Sequence, residues 1–200
     1  MREQVVINAV PLIGELLTPA MMQVSRAMPH LDMTYRSENG IADLSDGTTI
    51  AVRAGPEPTG ERNAVRWLGR LGVALVATRD YINRMGLPSC PADLADHAFV
   101  ANDWGEDRAP WFAWLRSATG HQQVVFRTND ETVMRRAVMS GRCAGFLPIS
   151  SLIWAPELIE IMPSCDEWDA PLWLVHDRGA TETCRNVGRE LAAIIVRQLS

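Results

Sequence analysis

The sequence predicts an α/β fold built as two similar lobes. Apolar runs of strand length alternate with helical patterns along the chain, which is typical of mostly parallel strands joined by helical crossovers. The order strand, helix, strand begins near residue 5 and again near residue 124. At 200 residues, the chain is long for one core and short for two independent domains. Two small lobes that share their connections fit this length best.

In the first part of the chain, short runs of β-branched and apolar residues predict strands. The helix after the first strand contains Pro19, so it either kinks there or starts afresh with Thr18 as N-cap. The nearly all-apolar run Leu71–Ala77 is typical of a strand buried on both faces, and it marks the first crossing between the lobes. The predicted elements are strands at Val5–Val10, Leu31–Tyr35, Ile50–Gly55 and Leu71–Ala77, and a helix at Leu12–Met28.

The second part continues with a one-turn helix at Tyr81–Met85, which Gly86 and Pro88 end. Another short helix starts at Pro91, and the stretch Pro163–Pro171 is the expected return crossing. The remaining predicted elements are strands at Ala98–Ala101, Val124–Arg127, Cys143–Leu147, Leu158–Met162 and Leu172–His176, and helices at Pro110–Ser117, Asp130–Ser140 and Glu182–Leu199.

The composition excludes several classes of protein. With 47% hydrophobic and 22% charged residues, the chain has the balance of an ordinary globular protein. The net charge of −5 argues against direct binding to nucleic acid, which needs clustered Lys and Arg. Apolar runs are too short to cross a membrane or to form a signal peptide, so a cytoplasmic protein is expected. The four widely spaced cysteines are then expected to be reduced thiols.

An enzyme finds little support in the sequence. The four histidines are isolated, with no spacing typical of a metal site, and neither a nucleophile elbow nor a phosphate-binding glycine loop is present. Cys143, between Gly141 and Gly145, is expected to be a small core residue rather than a nucleophile. No catalytic residue, metal or cofactor is therefore expected.

Several phrases in the right order carry a family resemblance. The strongest is a strand followed by a tyrosine, a glycine-x-proline and a P-x-D-L-x-x-H phrase, here at Tyr81, Gly86, Pro88, Pro91, Asp93, Leu94 and His97. It resembles the middle of the effector-binding domain of LysR-type transcriptional regulators. Further phrases that resemble this family are Asp43-Leu44 with Ile50–Gly55, Trp111–Leu115, and Thr128–Asp130 with Gly141, Gly145, Leu147 and Pro148. The resemblance covers nearly the whole chain.

The resemblance implies a type II periplasmic-binding-protein-like fold, with two α/β lobes joined by two crossover strands. Residues 1–78 plus 171–200 would form lobe I and residues 79–170 lobe II. The implied function is to sense a small-molecule effector, a carboxylate or an amino acid, in the interlobe cleft and so to modulate transcription. DNA would be contacted through a helix-turn-helix domain that is absent from this chain. The alternative is a solute-binding protein of the same fold, which would need an export signal.

Candidate effector-binding residues follow the strands, because ligands of open α/β sheets lie beyond the carboxyl ends of strands. Arg53 could hold a carboxylate or pair with an acid of its own lobe, and Thr128 to Glu131 also match a capping box. Trp104 and Trp111 could stack on a ligand, but tryptophans at helical spacing are more often core residues. The predicted cleft residues are Pro11, Leu12, Ile13, Gly14, Arg53, Thr78, Arg79, Asn102, Trp104, Thr128, Asn129, Phe146 and Pro148.

Two features separate this chain from the usual family pattern. The loop Val10–Gly14 lacks the Ser or Thr that often touches the effector, and Thr49 replaces the usual Asp before the strand at Ile50. The resemblance also implies a homodimer, formed by two helices that are rich in methionine here. Flexible thioethers suit such a surface, although core filling is the alternative. The predicted interface residues are Met21, Met22, Met28, Met134 and Met139.

Overall fold

The computed structural model describes residues 2–38, 42–103, 109–119 and 123–199. Within these ranges, the strands are β1 Glu3–Ala9, β2 Leu31–Ser37, β3 Thr49–Ala54, β4 Asn63–Leu71, β5 Val73–Thr78, β6 Phe99–Ala101, β7 Val124–Arg127, β8 Gly145–Pro148, β9 Leu158–Glu160 and β10 Ala170–Asp177. The α-helices are α1 Gly14–Ala27, α2 Arg79–Met85, α3 Pro110–Thr119, α4 Glu131–Met139, α5 Ser151–Trp154 and α6 Glu182–Leu199. Short 3-10 helices lie at Pro11–Ile13, Pro91–Asp96 and Asp166–Trp168.

The chain divides into two compact units, each with its own sheet. Unit 1 comprises Met1–Leu71 and Pro171–Ser200, and unit 2 comprises Gly72–Ala170. The backbone therefore passes from one unit to the other twice, once before β5 and once near the start of β10.

The sheet of unit 1 has the strand order β2-β1-β3-β10-β4. β1 is parallel to both β2 and β3, with Ile7 beside Tyr35 on one side and beside Ile50 on the other. β10 is antiparallel to β3 and brings Val175 beside Ala51. Apolar residues of α1 and α6 bury against this core, which places the helices on the sheet by the hydrophobic effect.

Unit 2 repeats the same strand order with different elements. β5 lies between β8 and β9, and β6 pairs with β7. A parallel bridge between Phe99 and Ala144 links β6 to the residue before β8, so the strands follow one another as β7-β6-β8-β5-β9. The predicted repeat is therefore present, but its second copy begins at β6 rather than at Val124.

The expectation of mostly parallel sheets is wrong for the strands that follow the crossings. β5 is antiparallel to both β8 and β9, and β10 is antiparallel to β3. The predicted strand at Leu71–Ala77 is also two elements, since β4 ends at Leu71 and β5 starts at Val73. β4 was missed because it is largely exposed, at one edge of its sheet, and shows no clean alternation of apolar and polar residues.

The first helix is continuous through Pro19. α1 begins at Gly14, directly after a 3-10 turn, and the Thr18 hydroxyl donates a hydrogen bond to the Gly14 carbonyl at 2.8 Å. The alternative of a helix that starts afresh with Thr18 as N-cap is therefore wrong. Pro19 is the sixth residue of α1, so its missing N–H removes one hydrogen bond of the helix interior, and the helix continues to Ala27.

The cysteines are all free, as expected: Cys90 and Cys165 are exposed, and Cys143 and Cys184 are buried. Burial raises the pKa of the Cys143 and Cys184 thiols to about 11, which makes them poor nucleophiles at neutral pH. Among the described residues, no helix is both long and apolar enough to cross a membrane.

Two glycines make a matched test of packing. A Cβ atom on Gly145 would lie 2.7 Å from Val100 Cγ1 and 2.9 Å from Val138 Cγ2, whereas one on Gly188 would lie 3.5 Å from Leu174 Cδ2. We expect Gly145→Ala to lower the free energy of unfolding by about 1–3 kcal/mol through overpacking. Gly188→Ala should raise it by up to about 1 kcal/mol, because alanine favours a helix interior. Urea unfolding followed by circular dichroism measures both, and equal effects of the two substitutions would contradict the packing described.

Candidate functional site

A hydrogen-bonded network lies towards the carboxyl ends of the parallel strands of unit 1. Arg53 on β3 donates from Nη2 to Asn8 Oδ1 at 2.9 Å, and Asn8 Nδ2 donates to Glu38 Oε2 at 2.8 Å. Asn8 lies on β1 and is only 2% exposed, while Glu38 follows directly after β2. Two neighbouring strands and the residue after a third thus contribute one polar group each to the same place.

The network has a defined electrostatic character. Burial lowers the pKa of Arg53, and the negative charge of Glu38 acts in the opposite direction. Arginine remains protonated under such a shift, so a permanent cation is held beside a buried amide. Of the two interpretations given for Arg53, pairing within its own lobe is partly realised, because Asn8 bridges it to Glu38. The ion pair present among the described residues joins Arg62 and Asp177 at 3.0 Å.

The loop after β1 does not present free polar side chains. Pro11, Leu12 and Ile13 form the 3-10 turn that leads into α1, and Ile13 is buried. A Cβ atom on Gly14 would lie 3.2 Å from the Tyr35 hydroxyl, so the glycine leaves room for that ring. The Tyr35 hydroxyl oxygen is buried.

Sequence reasoning missed Asn8, Glu38 and Tyr35. A signal for Asn8 was present, since it is the one polar residue within the apolar run Val5–Ala9. A polar side chain at a buried strand position must find hydrogen-bond partners. Glu38 and Tyr35 carry no such local signal, because only the pairing of β1 with β2 brings them to this place.

In unit 2, Thr78 and Arg79 mark the start of α2. Thr78 is buried, and its hydroxyl caps this helix by accepting from the Tyr81 amide at 3.2 Å. Arg79 is exposed, and its amide donates to the Glu157 carbonyl at 2.9 Å. The Thr78 side chain therefore has a structural role, whereas the Arg79 side chain faces solvent.

The start of α4 differs from the predicted capping box. Asp130, not Thr128, is the N-cap, and its carboxylate accepts from the amides of Thr132 at 2.8 Å and Val133 at 3.2 Å. The Thr128 hydroxyl instead accepts from the Asp130 amide at 3.0 Å. A carboxylate is the better acceptor for two helix N–H groups, which moves the cap two residues along the chain.

The other predicted cleft residues of unit 2 lie on different elements. Asn129 is exposed before α4, and the Asn102 carbonyl follows β6 and accepts from Arg127 Nη1 at 3.4 Å. Pro148 is buried at the end of β8. Trp104 lies outside the described residues.

Phe146 is a core residue, because its side chain is only 1% exposed. It packs edge-on against Trp168, with ring centroids 4.9 Å apart, and against Trp114 at 6.1 Å. Trp111 is also buried. For both side chains the core interpretation of the aromatic residues applies, and edge-on packing of this kind stabilises cores beyond area burial.

The methionines proposed for an interface fall into two groups. Met134 is 2% exposed and packs in the apolar core of unit 2, beside Val76 and Val138. For Met134 core filling therefore applies. Met22 on α1 is 55% exposed, and the remaining three, Met21, Met28 and Met139, are partly buried.

Metal binding finds no support in the part of the chain that the structure describes. It contains no group of three or more His, Cys, Asp or Glu side chains that could hold an ion. The site of unit 1 is instead a cation, a buried amide and a carboxylate at the ends of parallel strands. Ligands of open α/β sheets commonly bind beyond the carboxyl ends of the strands, which makes this network the candidate site of unit 1.

Comparison with known proteins agrees with this class. The family model of the LysR substrate binding domain matches residues 1–191. The chain therefore belongs to that family, the effector-binding domains of LysR-type transcriptional regulators, which are not enzymes. No curated protein matches the sequence.

Solved structures of the same family show the same type II periplasmic-binding-protein-like fold. The effector binding domain of AmpR from Citrobacter freundii superposes with a TM-score of 0.75 at 15% identity, covering 98% of this chain and 100% of that one. The regulatory domain of AphB from Vibrio vulnificus gives 0.70 at 19% identity, covering 95% and 98%. Full-length AphB from Vibrio cholerae gives 0.70 at 14% identity, covering 96% of this chain and 68% of that one.

The first residue of α4 provides a pH-dependent prediction. Burial raises the pKa of Glu131 from 4.5 to about 7, with the charge of Asp130 adding to the shift and that of Arg135 opposing it. The folded chain therefore keeps a proton that the unfolded chain loses. Stability should fall by about 1–3 kcal/mol as the pH rises from about 4.5 to about 7, and stay level above that.

Glu131→Gln should remove this part of the pH dependence, because the amide does not titrate. Urea unfolding at about pH 5 and about pH 8 gives the change in the free energy of unfolding between the two pH values, which is compared for wild type and variant. Glu190→Gln, at an exposed position of α6, is the matched control and should leave the difference unchanged. An identical pH dependence in wild type and Glu131→Gln would contradict the assignment.

Proposed function

We propose that this chain is the ligand-sensing part of a LysR-type transcriptional regulator. It binds a small-molecule effector in a cleft between its two lobes. Binding changes the balance between two arrangements of the regulator and so alters DNA contacts made by a helix-turn-helix domain. Membership of the family favours this function over a solute-binding protein of the same fold.

The observation that carries the proposal is the network of Asn8, Arg53 and Glu38. A guanidinium group has five N–H donors in a fixed fork that matches a carboxylate. Asn8 and the Val52 carbonyl accept from Arg53 in the structure, and the fork has further donors for a ligand. Arg53 would hold an effector carboxylate, and Glu38 would accept from an ammonium group. An amino acid has both groups, which supports it over a simple carboxylate.

The other candidate for an anion, the start of α4, is less suited to that role. Helix N-termini attract anions through free amides and the helix dipole. Here Asp130 already accepts from two of these amides, and Glu131 places a second carboxyl group beside it. In unit 2, we therefore propose that Thr128 and Asn129 contact uncharged polar groups of the effector.

A screen of amino acids and organic acids tests the proposal. A ligand that binds the folded state raises the melting temperature by mass action, and calorimetry then gives its Kd. Arg53→Gln should weaken the best ligand about tenfold or more, because a charge-assisted hydrogen bond is worth about 1.5–3 kcal/mol. Arg53→Lys should recover part of that loss, since it keeps the charge but not the fork.

Arg26→Gln is the matched control, an exposed arginine on α1 with the same change of charge, and it should leave the Kd unchanged. Equal affinity of wild type and Arg53→Gln would remove Arg53 from the site. Chemical conversion of a bound ligand would contradict the sensing function.

We also infer that the chain forms a homodimer. Met22 on α1 is an exposed large apolar residue, and in unit 2 the edge strand β7 exposes Val125 and Phe126 at 64% and 44%. An uncovered apolar edge strand tends to pair with another chain, so natural proteins usually cover it. These residues support an interface through α1 and β7. Met134 is too buried to belong to it.

Met22→Glu should weaken the dimer about tenfold or more, because a buried unpaired charge is costly at an apolar interface. Sedimentation velocity over a range of protein concentrations measures the change. Gln198→Glu adds the same charge at an exposed position of α6 and should leave dimerisation as in wild type. An unaltered dimer with Met22→Glu would exclude α1 from the interface.

A further inference from the structure

A pocket in unit 1 is lined by basic side chains. It has a volume of about 210 Å³ and lies where β4, β10 and α6 meet. Arg66 comes from β4, His176 from β10, and Arg185 and Arg189 from α6. The remaining lining residues are apolar or glycine, so no acidic side chain lines the pocket in the part of the chain that the structure describes.

The three arginines lack ion-pair partners among the described residues, where Arg62 and Asp177 form the salt bridge. Arg185 donates to the Ala180 carbonyl, which anchors one end of its guanidinium group. Asp46 is the nearby acid to consider, because its charge and that of Arg185 both act on the pKa of the Cys184 thiol. Its two carboxylate oxygens, however, accept hydrogen bonds from Thr48 and Thr49. Within the described ranges, three cations thus share one pocket without an acid to balance them.

The spacing of the arginines makes this cluster unfavourable without a ligand. Arg185 and Arg189 are four residues apart on α6, so they lie on the same face of the helix and repel each other. Arg66 adds a third charge from the neighbouring strand. The whole chain has a net charge of −5, so a local excess of positive charge is not a consequence of composition. A bound anion would relieve the repulsion.

The pocket lies away from the Arg53 network. His176 pairs with Ile50 at the amino end of β3, whereas Arg53 pairs with Trp173 at its carboxyl end. Three residues of strand separate the two positions, which corresponds to about 10 Å. Gly188 lines the pocket beside His176, and an added Cβ atom there would lie 3.7 Å from His176 Cδ2.

We propose that Arg66, Arg185 and Arg189 form a second ligand site, which binds a small anion with two or more negative charges. Guanidinium forks bind carboxylates and phosphates in bidentate fashion, so a phosphate compound and a polycarboxylate share the required chemistry. The volume is below the roughly 300–1,000 Å³ of pockets for drug-sized ligands, which restricts the ligand to a small ion. This site is independent of the proposed effector site.

Isothermal titration calorimetry with inorganic pyrophosphate and with citrate tests the proposal and separates the two sources of charge. At least one probe should bind saturably with a stoichiometry near one site per chain, and added salt should weaken it. The double variant Arg185→Gln/Arg189→Gln should weaken that binding about tenfold or more. Arg26→Gln/Arg142→Gln removes the same charge from exposed positions elsewhere and should bind like wild type.

Amide chemical shifts locate the bound probe. The amides of Ala64 and Gly188 should shift on titration, while those of Asn8 and Arg53 should not. The proposal is wrong if neither probe binds at about 10 mM, a limit weaker than any specific site of this kind. It is also wrong if the double variant binds as tightly as wild type, or if only duplex DNA binds through these arginines. Because Arg53 is unchanged in every variant used, failure here leaves the proposed effector site untouched.

Discussion

A buried amide on the interior strand β1 constrains much of unit 1. Asn8 is only 2% exposed, and a buried amide without partners costs about 1–3 kcal/mol for each unsatisfied group. Its oxygen accepts from Arg53 on β3 and its nitrogen donates to Glu38 after β2, so satisfying one side chain joins three strands. Both partners carry charge. The need of the Asn8 amide for hydrogen-bond partners therefore places a cation and a carboxylate at this end of the sheet. The parallel pairing of β1 with β2 and β3 is what makes that solution available.

The strand order shows how the two units depend on distant parts of the chain. In unit 1, β10 pairs with β3 from Leu172 opposite Ala54, across more than half of the sequence. In unit 2, β5 pairs with strands that follow much later. Each sheet is completed by an antiparallel strand that adjoins a crossing between the units. Such pairings have a high contact order, and loop closure must precede them, so they are expected to form late in folding.

Two cationic regions of unit 1 have different surroundings and different consequences. Arg53 is partly buried, and a buried amide links it to a carboxylate, so its geometry is set by neighbouring groups. The arginines of the basic pocket are exposed and gather on a strand and a helix without acidic partners among the described residues. A cation held in a fixed geometry favours ligands of one shape. Exposed cations instead favour ligands by their total negative charge, and salt weakens that attraction. The β3–β10 register keeps the two regions apart.

Local patterns in the sequence were sufficient for the family, the α/β class and most helices and strands. The spacing of apolar residues predicts which face of a helix or strand is buried. The phrase around Tyr81 and Pro91 predicts a particular series of short helices and turns. The tertiary structure alone decided the antiparallel direction of β5 and β10, the exposed edge strand β4, and the burial of Met134. It also decided the partners of Arg53, since Asn8 and Glu38 are 45 and 15 residues away from it in sequence. The reason is that side chains meet across strands according to pairing and register, which no local pattern contains.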